Sequence, residues 1–273
     1  MAQESTPVDT TNSYKVMLMD GSELIGRILE QDSSQIVMQT SVLPRLAIPR
    51  EKITKIEALS ATNYKNGEYW FENPHATRYL IGPSAFNLKK GEGYYQNTWI
   101  FLNSFNVGLT NHISLGGGLE FISTFSGLTN GKFDPIFYLT PKASFQVSER
   151  FHAGGGILYL HAPDNSNGGI GYGMATYGNT DNNITAGIGW FFSNFEFENR
   201  PVITISGMKR ISRKLGLVSE NWILPADDYM GLYSYGIRFF GEKMAVDLAF
   251  INNRDIFDFL FIGIPYVDFV VKF

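Results

Sequence analysis

The chain has 273 residues, of which 44% are apolar, 15% aromatic and only 18% charged, with a formal charge of −4 and no cysteine. Without cysteine there is no disulfide framework, thiolate zinc site or thiol nucleophile. The net negative charge also removes the electrostatic footprint of a general nucleic-acid binder. The uninterrupted apolar runs are far shorter than the roughly 18 to 20 residues that a membrane-spanning helix needs. If this chain crosses a bilayer, it does so as strands.

The amino terminus is polar over residues 1–12, and we predict that it is disordered. Its first residues, Met1 to Ser5, have neither the basic start nor the apolar stretch of a signal peptide. This is typical of an ordinary cytoplasmic amino terminus, or of an exported protein whose signal peptide has been removed. The later part of the sequence favours export.

Residues 13–58 predict a small all-β unit, because apolar residues alternate in four or five short runs. Asp20-Gly21 separates the first two runs and is a strong hairpin signal, since both residue types tolerate positive φ. The apolar first strand, Asp20-Gly21, Gly26 in a bent second strand and Asp32 before the third resemble the Sm-like family. This resemblance implies an SH3-like small β-barrel.

The Sm-like resemblance also implies RNA binding, which the sequence argues against. Sm proteins bind RNA through the loop of their second motif, where this chain has Ile48-Pro49-Arg50-Glu51 in place of the expected Arg-Gly pairing. Residues 14–58 carry six basic and six acidic side chains, so no basic patch is available to neutralise phosphates. We therefore predict the fold without a nucleic-acid partner.

Residues 59–75 are predicted to be a linker, because Asn and Gly surround a short aromatic cluster, Tyr69-Trp70-Phe71. Such aromatics are typical of a membrane interface, or they pack two domains together.

Residues 76–273 predict an antiparallel up-and-down transmembrane β-barrel, because glycine and aromatic residues become frequent and helical periodicity is absent. Twelve strands are expected, an even number that a closed barrel with both chain ends on one side requires. The predicted strands lie near 76–86, 94–109, 112–125, 136–147, 151–162, 168–178, 183–193, 200–212, 215–224, 230–240, 243–252 and 259–273.

The links between these strands alternate in predicted length. Short links at 110–112, 148–150, 179–182, 212–214 and 241–243 interleave with longer ones at 87–93, 126–135, 163–168, 194–199, 225–229 and 253–258. This alternation is typical of outer-membrane barrels, which have short periplasmic turns and longer external loops.

Alternation along the strands assigns one apolar face and one face of small or polar residues, which predicts that outer-membrane lipid surrounds the barrel. The lipid-facing side chains are predicted to include Phe137, Phe145, Trp190, Ile237, Phe239, Val267 and Phe269. The last strand ends on Phe273 and resembles the closing strand of bacterial outer-membrane barrels, whose terminal aromatic is read by the barrel-assembly machinery.

Charged residues of the opposite face are predicted to form a polar network inside a narrow lumen, where opposite charges neutralise one another. This set consists of Arg78, Glu120, Lys142, Arg238, Asp247, Asp268 and Lys272. The alternative interpretation is a polar path for small solutes.

Candidate chemistry is sparse. His112 and Ser114 resemble the His-x-Ser pair of the twelve-stranded outer-membrane phospholipase, but both are assigned to the lumen side, whereas that enzyme presents its residues toward lipid. His75, His152 and His161 have no His or carboxylate at metal-ligand spacing in the sequence. We predict no catalytic residue, no metal and no cofactor.

The sequence therefore predicts a bacterial outer-membrane barrel that anchors a small periplasmic domain, with a structural or adaptor role toward an unidentified envelope protein. The first alternative is a narrow channel for small solutes. The second is a lipid-modifying enzyme that uses His112 and Ser114.

Overall fold

The structure is a computed structural model that describes residues 13–59, 64–65, 68–129, 131, 134–163, 166–194, 196–226 and 229–273. The predicted disordered segment 1–12 lies outside the described residues. The chain divides into two compact units, Met1–Glu72 and Asn73–Phe273. The last three residues of the predicted linker, 73–75, thus belong to the second unit.

The first unit contains a five-stranded antiparallel sheet, with strand order β4-β3-β2-β1-β5. Its strands are β1 (Ser13–Leu18), β2 (Glu23–Gln31), β3 (Gln35–Thr40), β4 (Leu46–Pro49) and β5 (Ile53–Leu59), and a separate hairpin pairs β6 (Tyr64–Lys65) with β7 (Glu68–Tyr69). Within the described residues, no pairing between β4 and β5 closes the sheet. The relation to the Sm-like family stays a prediction.

Two glycines shape this sheet as the sequence indicates. Gly21 has φ +83° in the turn between β1 and β2, where the Asp20 carboxylate accepts a hydrogen bond from the Ser22 amide at 2.9 Å. Gly26 lies where β2 crosses β3 so closely that a Cβ there would be 2.0 Å from the Gln39 carbonyl oxygen. The core beneath the sheet is formed by Val16, Met38 and Ile48.

The second unit contains a closed barrel of twelve antiparallel strands, which confirms the predicted fold class of this part. Its strands are β8 (Gly93–Thr98), β9 (Leu102–Gly108), β10 (Ile113–Glu120), β11 (Phe137–Gln146), β12 (Phe151–Ala162), β13 (Ser166–Gly178), β14 (Asn182–Ser193), β15 (Glu196–Arg210), β16 (Leu215–Leu224), β17 (Met230–Phe240), β18 (Met244–Asn252) and β19 (Ile264–Lys272). The last strand pairs with the first, β19 with β8, and completes the ring.

The count of twelve is right, but two of the predicted strands are wrong. Residues 76–86 are not a barrel strand, whereas 94–109 is two strands, β8 and β9. The turn between them uses Trp99 and Ile100 at φ +50° and +72°, with no glycine or proline to mark it. The Trp99 indole nitrogen donates to the Pro265 carbonyl at 2.8 Å. This tertiary contact anchors a turn that local sequence does not signal.

The barrel has a short-turn end, formed by the links 109–112, 147–150, 179–181, 211–214 and 241–243 together with the carboxyl terminus. At the opposite end the predicted long links are only partly found. Links 121–136, 225–229 and 253–263 are the longer ones, but 163–165 and 194–195 are short because strands β13 and β15 begin earlier than predicted, at Ser166 and Glu196. The predicted link 87–93 precedes β8 at the short-turn end.

Two short helices lie in the longer links, α1 (Phe121–Thr129) and α2 (Arg254–Phe259). The Asn253 side chain caps α2 by accepting a hydrogen bond from the Ile256 amide at 2.7 Å. Among the described residues, neither helix has the length and apolar character that a bilayer crossing would require.

We predict that Gly26→Ala destabilises the first unit by about 1 to 3 kcal/mol, because the added methyl group overlaps the Gln39 carbonyl. The matched control is Gly21→Ala, where no atom lies within 4 Å and only the positive φ is unfavourable. Hydrogen exchange of the β1 to β3 amides in the full chain measures both. Equal protection in the two variants would contradict the packing argument.

Candidate functional site

The lumen of the barrel is occupied by the chain's own residues 73–88, which we call the inner segment. The Asn73 side chain donates to the Thr180 carbonyl at 2.8 Å, in the short-turn link 179–181. The segment returns to the same end, where the Gly108 amide and carbonyl bond to Glu92 and Gly91. Both ends of the inner segment are therefore at the short-turn end of the barrel.

The inner segment is a hairpin that folds on itself. The Tyr79 amide donates to the Gly82 carbonyl at 2.9 Å, and the Ser84 amide donates to the Thr77 carbonyl at 3.0 Å. Most of its backbone groups lack a sheet neighbour, so their hydrogen-bond partners must come from the side chains of the barrel wall. Three charged side chains supply most of them.

Glu220 on β16 accepts hydrogen bonds from the tip of the hairpin. One carboxylate oxygen receives the backbone amides of Leu80, Ile81 and Gly82 at 2.9, 3.0 and 2.9 Å. The other receives the Trp222 indole N–H at 2.7 Å. Glu220 is 1% exposed, so four donors replace the water that its carboxyl group loses on burial.

Lys142 on β11 binds carbonyls of the inner segment, whereas Glu220 binds amides. The Lys142 ammonium group is the hydrogen-bond donor. The acceptors are the carbonyls of Thr77, Ser84 and Phe86, at 3.4, 3.1 and 2.6 Å. Lys142 thus joins the two arms of the hairpin to the wall.

Arg238 on β17 is fully buried and holds both a carboxylate and the inner segment. Its Nε and Nη2 donate to the two oxygens of Asp247 at 2.7 and 2.8 Å, a bidentate pair. The same guanidinium donates to the carbonyls of His75 and Tyr79 at 2.7 and 2.6 Å. An ion pair on the wall therefore also fixes the incoming arm of the hairpin.

Hydroxyl groups complete the attachment. The Thr176 hydroxyl accepts from the Ala85 amide at 2.8 Å and lies 2.6 Å from the Thr185 hydroxyl. The Tyr79 hydroxyl lies 2.7 Å from Thr185. The inner segment is therefore bonded to strands on several sides of the barrel.

The seven side chains predicted to form a lumen network have four different positions. Four are buried inside the barrel: Lys142, Arg238, Asp247 and Asp268. Arg78 belongs to the inner segment rather than to a strand. Glu120 lies at the end of β10 and accepts from the Ile122 amide at 2.8 Å. Lys272 pairs with Glu92 at 3.0 Å at the short-turn end.

The predicted mutual neutralisation of these seven charges needs correction. Within the part of the chain that the structure describes, Arg238 and Asp247 form an ion pair with each other. Lys142 donates instead to carbonyls of the inner segment, whose buried backbone dipoles need partners, and Asp268 accepts from the Tyr266 hydroxyl at 2.9 Å. At the short-turn end, partial burial acts to raise the pKa of Glu92, but a Lys89 backbone bond and the Lys272 ammonium lower it below its ordinary value.

His75, Asp247 and Asp268 form the one described cluster with metal-ligand geometry, their donor atoms lying within 4.8 Å of one another. The His75 Nδ1 atom is 3.6 Å from an Asp247 oxygen, and neither ring nitrogen makes a hydrogen bond within the described residues. These groups could coordinate a cation, but Arg238 already occupies both Asp247 oxygens and repels positive charge. The cluster joins the inner segment to β18 and β19.

Glu220 and His75 are the important lumen residues that sequence reasoning missed. The sequence does contain a signal for Glu220. Along β16 it lies an even number of residues from Gly216 and Val218, so it shares their inward face, whereas Leu217 lies on the outward face. His75 has no comparable signal, since it meets its carboxylates only through the insertion of the inner segment.

The side chains predicted to face lipid lie on the outside of the barrel. Phe145, Trp190, Ile237, Phe239 and Val267 are exposed, and Phe137 and Phe269 are half-buried. Phe273 is 62% exposed, and its backbone exchanges hydrogen bonds with Gly93 at 2.9 and 3.1 Å. An apolar band therefore surrounds the barrel.

The His112 and Ser114 pair is not assembled as a catalytic site. The His112 ring stacks on the outward Phe145, with ring centroids 5.0 Å apart, whereas Ser114 is buried inside the barrel. The assignment of both to the lumen side was wrong for His112, because it lies in a turn before β10 begins and strand alternation does not apply there. No hydrogen bond joins the two residues within the described chain.

We predict that Glu220→Gln loosens the inner segment, because an amide presents one acceptor oxygen where the carboxylate receives four donors. Exchange protection of the Leu80 to Gly82 amides should fall by about 1 to 3 kcal/mol. Glu149→Gln in an exposed turn is the matched control. Unchanged protection in Glu220→Gln, with the barrel intact by heat-modifiable gel migration, would refute this role.

No protein-family profile and no curated protein matches this chain. Among solved structures, it is similar to the KdgM porin, with 8% identity and a TM-score of 0.45 over 66% of this chain and 95% of that one. The NanC porin gives 7% identity and a TM-score of 0.42, over 66% and 97%. An OmpT outer membrane protein of Vibrio cholerae lacking loop L8 gives 11% and 0.29, over 96% of each chain. These values describe a likeness of fold only.

Proposed function

We propose that this protein is a bacterial outer-membrane barrel that forms a narrow channel for small solutes, closed in this structure by the inner segment. The observation that carries the proposal is a polar barrel wall whose Glu220, Lys142 and Arg238 side chains bind a separate hairpin. Displacement of that hairpin would leave a lumen lined with charged and hydroxyl groups.

The membrane location is supported by the distribution of side chains, which is the reverse of that in a barrel dissolved in water. Large apolar side chains such as Phe145 and Leu248, 54% and 47% exposed, lie outside the barrel. Inside are buried serines, threonines and charged residues. A barrel dissolved in water would place these classes the other way round, so hydrocarbon is the medium that this exterior suits.

The orientation of the barrel in the membrane follows from the position of its short turns. Outer-membrane barrels place short turns in the periplasm, and the second unit begins at Asn73 beside such a turn. We therefore assign the first unit to the periplasm and the terminal Phe273 to recognition by the barrel-assembly machinery.

An anchoring role for the first unit is the second candidate function. The observation in its favour is the density of bonds that hold the inner segment, which is the chain connection to that unit. In this case the lumen would be permanently filled, and the partner would be an envelope protein bound by the five-stranded sheet.

Conductance in planar bilayers separates the two functions. Because the natural chain has no cysteine, Ala85→Cys with Thr176→Cys can lock the inner segment, since the backbone nitrogen and side-chain oxygen at these positions are 2.8 Å apart. We expect openings in the wild type, none in the oxidised double variant, and their return on reduction. Replacement of residues 76–86 by a Gly-Ser linker should give a steadily open pore.

The single variants Ala85→Cys and Thr176→Cys, treated identically, are the controls for the cysteines and the oxidant. A silent membrane with the linker variant, correctly folded by gel migration, would rule out the channel. A wild type as silent as the locked variant, with an open linker variant, would favour the permanent anchor.

A further inference from the structure

Arg78 differs from the other lumen cations in having no partner for its guanidinium group. Lys142 donates to three carbonyls and Arg238 pairs with Asp247. For Arg78 only the backbone carbonyl is bonded, and the guanidinium makes no hydrogen bond or ion pair with any residue that the structure describes. Arg78 is partly buried, so its guanidinium loses contacts with water that a small anionic ligand can replace.

Two cavities meet at Arg78, one of about 60 Å³ and one of about 20 Å³. Among the described residues, no carboxylate lines either of them, whereas Lys142 adds a second positive charge to the smaller one. The Thr140 hydroxyl lines both cavities and is buried without a hydrogen-bond partner. Tyr172 also lines both. The surroundings of Arg78 therefore offer cationic and hydroxyl donors and lack an anion.

Much of the lining of the larger cavity is apolar, although Thr204 and Ser206 also line it. Ile170, Met174, Val202 and Trp222 line it, and Val202 and Ile170 are 0% and 8% exposed. A volume of about 60 Å³ holds roughly four to six water-sized atoms. The space thus suits a small molecule with one anionic end and one short hydrocarbon end.

We propose that the larger cavity binds a short-chain carboxylate, with the carboxylate on Arg78 and Thr140 and the hydrocarbon against Val202 and Ile170. A guanidinium matches a carboxylate through two parallel hydrogen bonds. The site goes beyond the proposed channel, because it requires only the filled barrel and no conduction. Since Arg78 belongs to the inner segment, the bound carboxylate stabilises the filled state.

Calorimetric titration of the purified full chain in detergent with sodium butyrate, at constant ionic strength, tests the site. We expect saturable binding to the wild type and to Lys90→Gln, which removes an exposed charge as a control. Arg78→Gln should bind at least about tenfold more weakly, because the charge-assisted pair is lost. Butanol, phosphate and chloride, which each lack one end of the ligand, should also bind more weakly.

Val202→Thr tests the apolar end without altering charge, and it should weaken butyrate severalfold but not phosphate. Absence of saturable butyrate binding to the wild type would overturn the proposal, as would equal binding to Arg78→Gln. Phosphate or chloride binding as tightly as butyrate would also overturn it. If Arg78→Gln does not fold, Val202→Thr and Thr140→Val decide, and wild-type affinity in both would refute the site. None of these measurements depends on conductance.

Discussion

The whole arrangement depends on one requirement, that a chain segment buried inside a barrel must still satisfy its backbone amides and carbonyls. The inner segment pairs with no strand of the wall, so it lacks the ladder that satisfies the strands around it. Unpaired backbone groups at this depth would oppose insertion. Glu220 accepts hydrogen bonds from the amides, whereas Lys142 and Arg238 donate hydrogen bonds to the carbonyls. Negative side chains thus bind backbone N–H groups, and positive side chains bind backbone C=O groups.

These hydrogen bonds to the hairpin explain why the charged side chains of the lumen do not all form ion pairs with one another. A carboxylate that receives several N–H groups is satisfied without a cation, and an ammonium group is satisfied by carbonyls. The wall is consequently complementary to the hairpin, although Arg238 also pairs with Asp247 on the wall. A wall of this kind is compatible with a removable occupant, and that is the physical basis for preferring a closable channel to a permanently packed anchor. Arg78 is the exception in this pattern, since it lines two small cavities.

Prediction from sequence succeeded where a strand pattern decided the outcome and failed where it did not. The closed twelve-stranded barrel follows from alternation in segments such as Phe137–Gln146, which the structure contains as β11. Residues 76–86 are predicted as a strand because helical periodicity is absent there, although Gly82 and Pro83 fit a hairpin better. The turn at Trp99 and Ile100 was missed because its residues carry no turn signal. The two errors cancelled in the strand count.

The sequence by itself determined the class of the fold, the inward and outward faces of most strands and the Asp20-Gly21 turn, because these depend on neighbours along the chain. Only the tertiary structure decided that residues 73–88 fill the lumen, that Glu220 caps their amides and that His75 meets Asp247 and Asp268. The contacts of Glu220 and of His75 join positions more than a hundred residues apart, and those of Lys142 join positions 56 to 65 residues apart. No local periodicity encodes them, since they arise from complementarity between a hairpin and a wall that exists only once the barrel has closed.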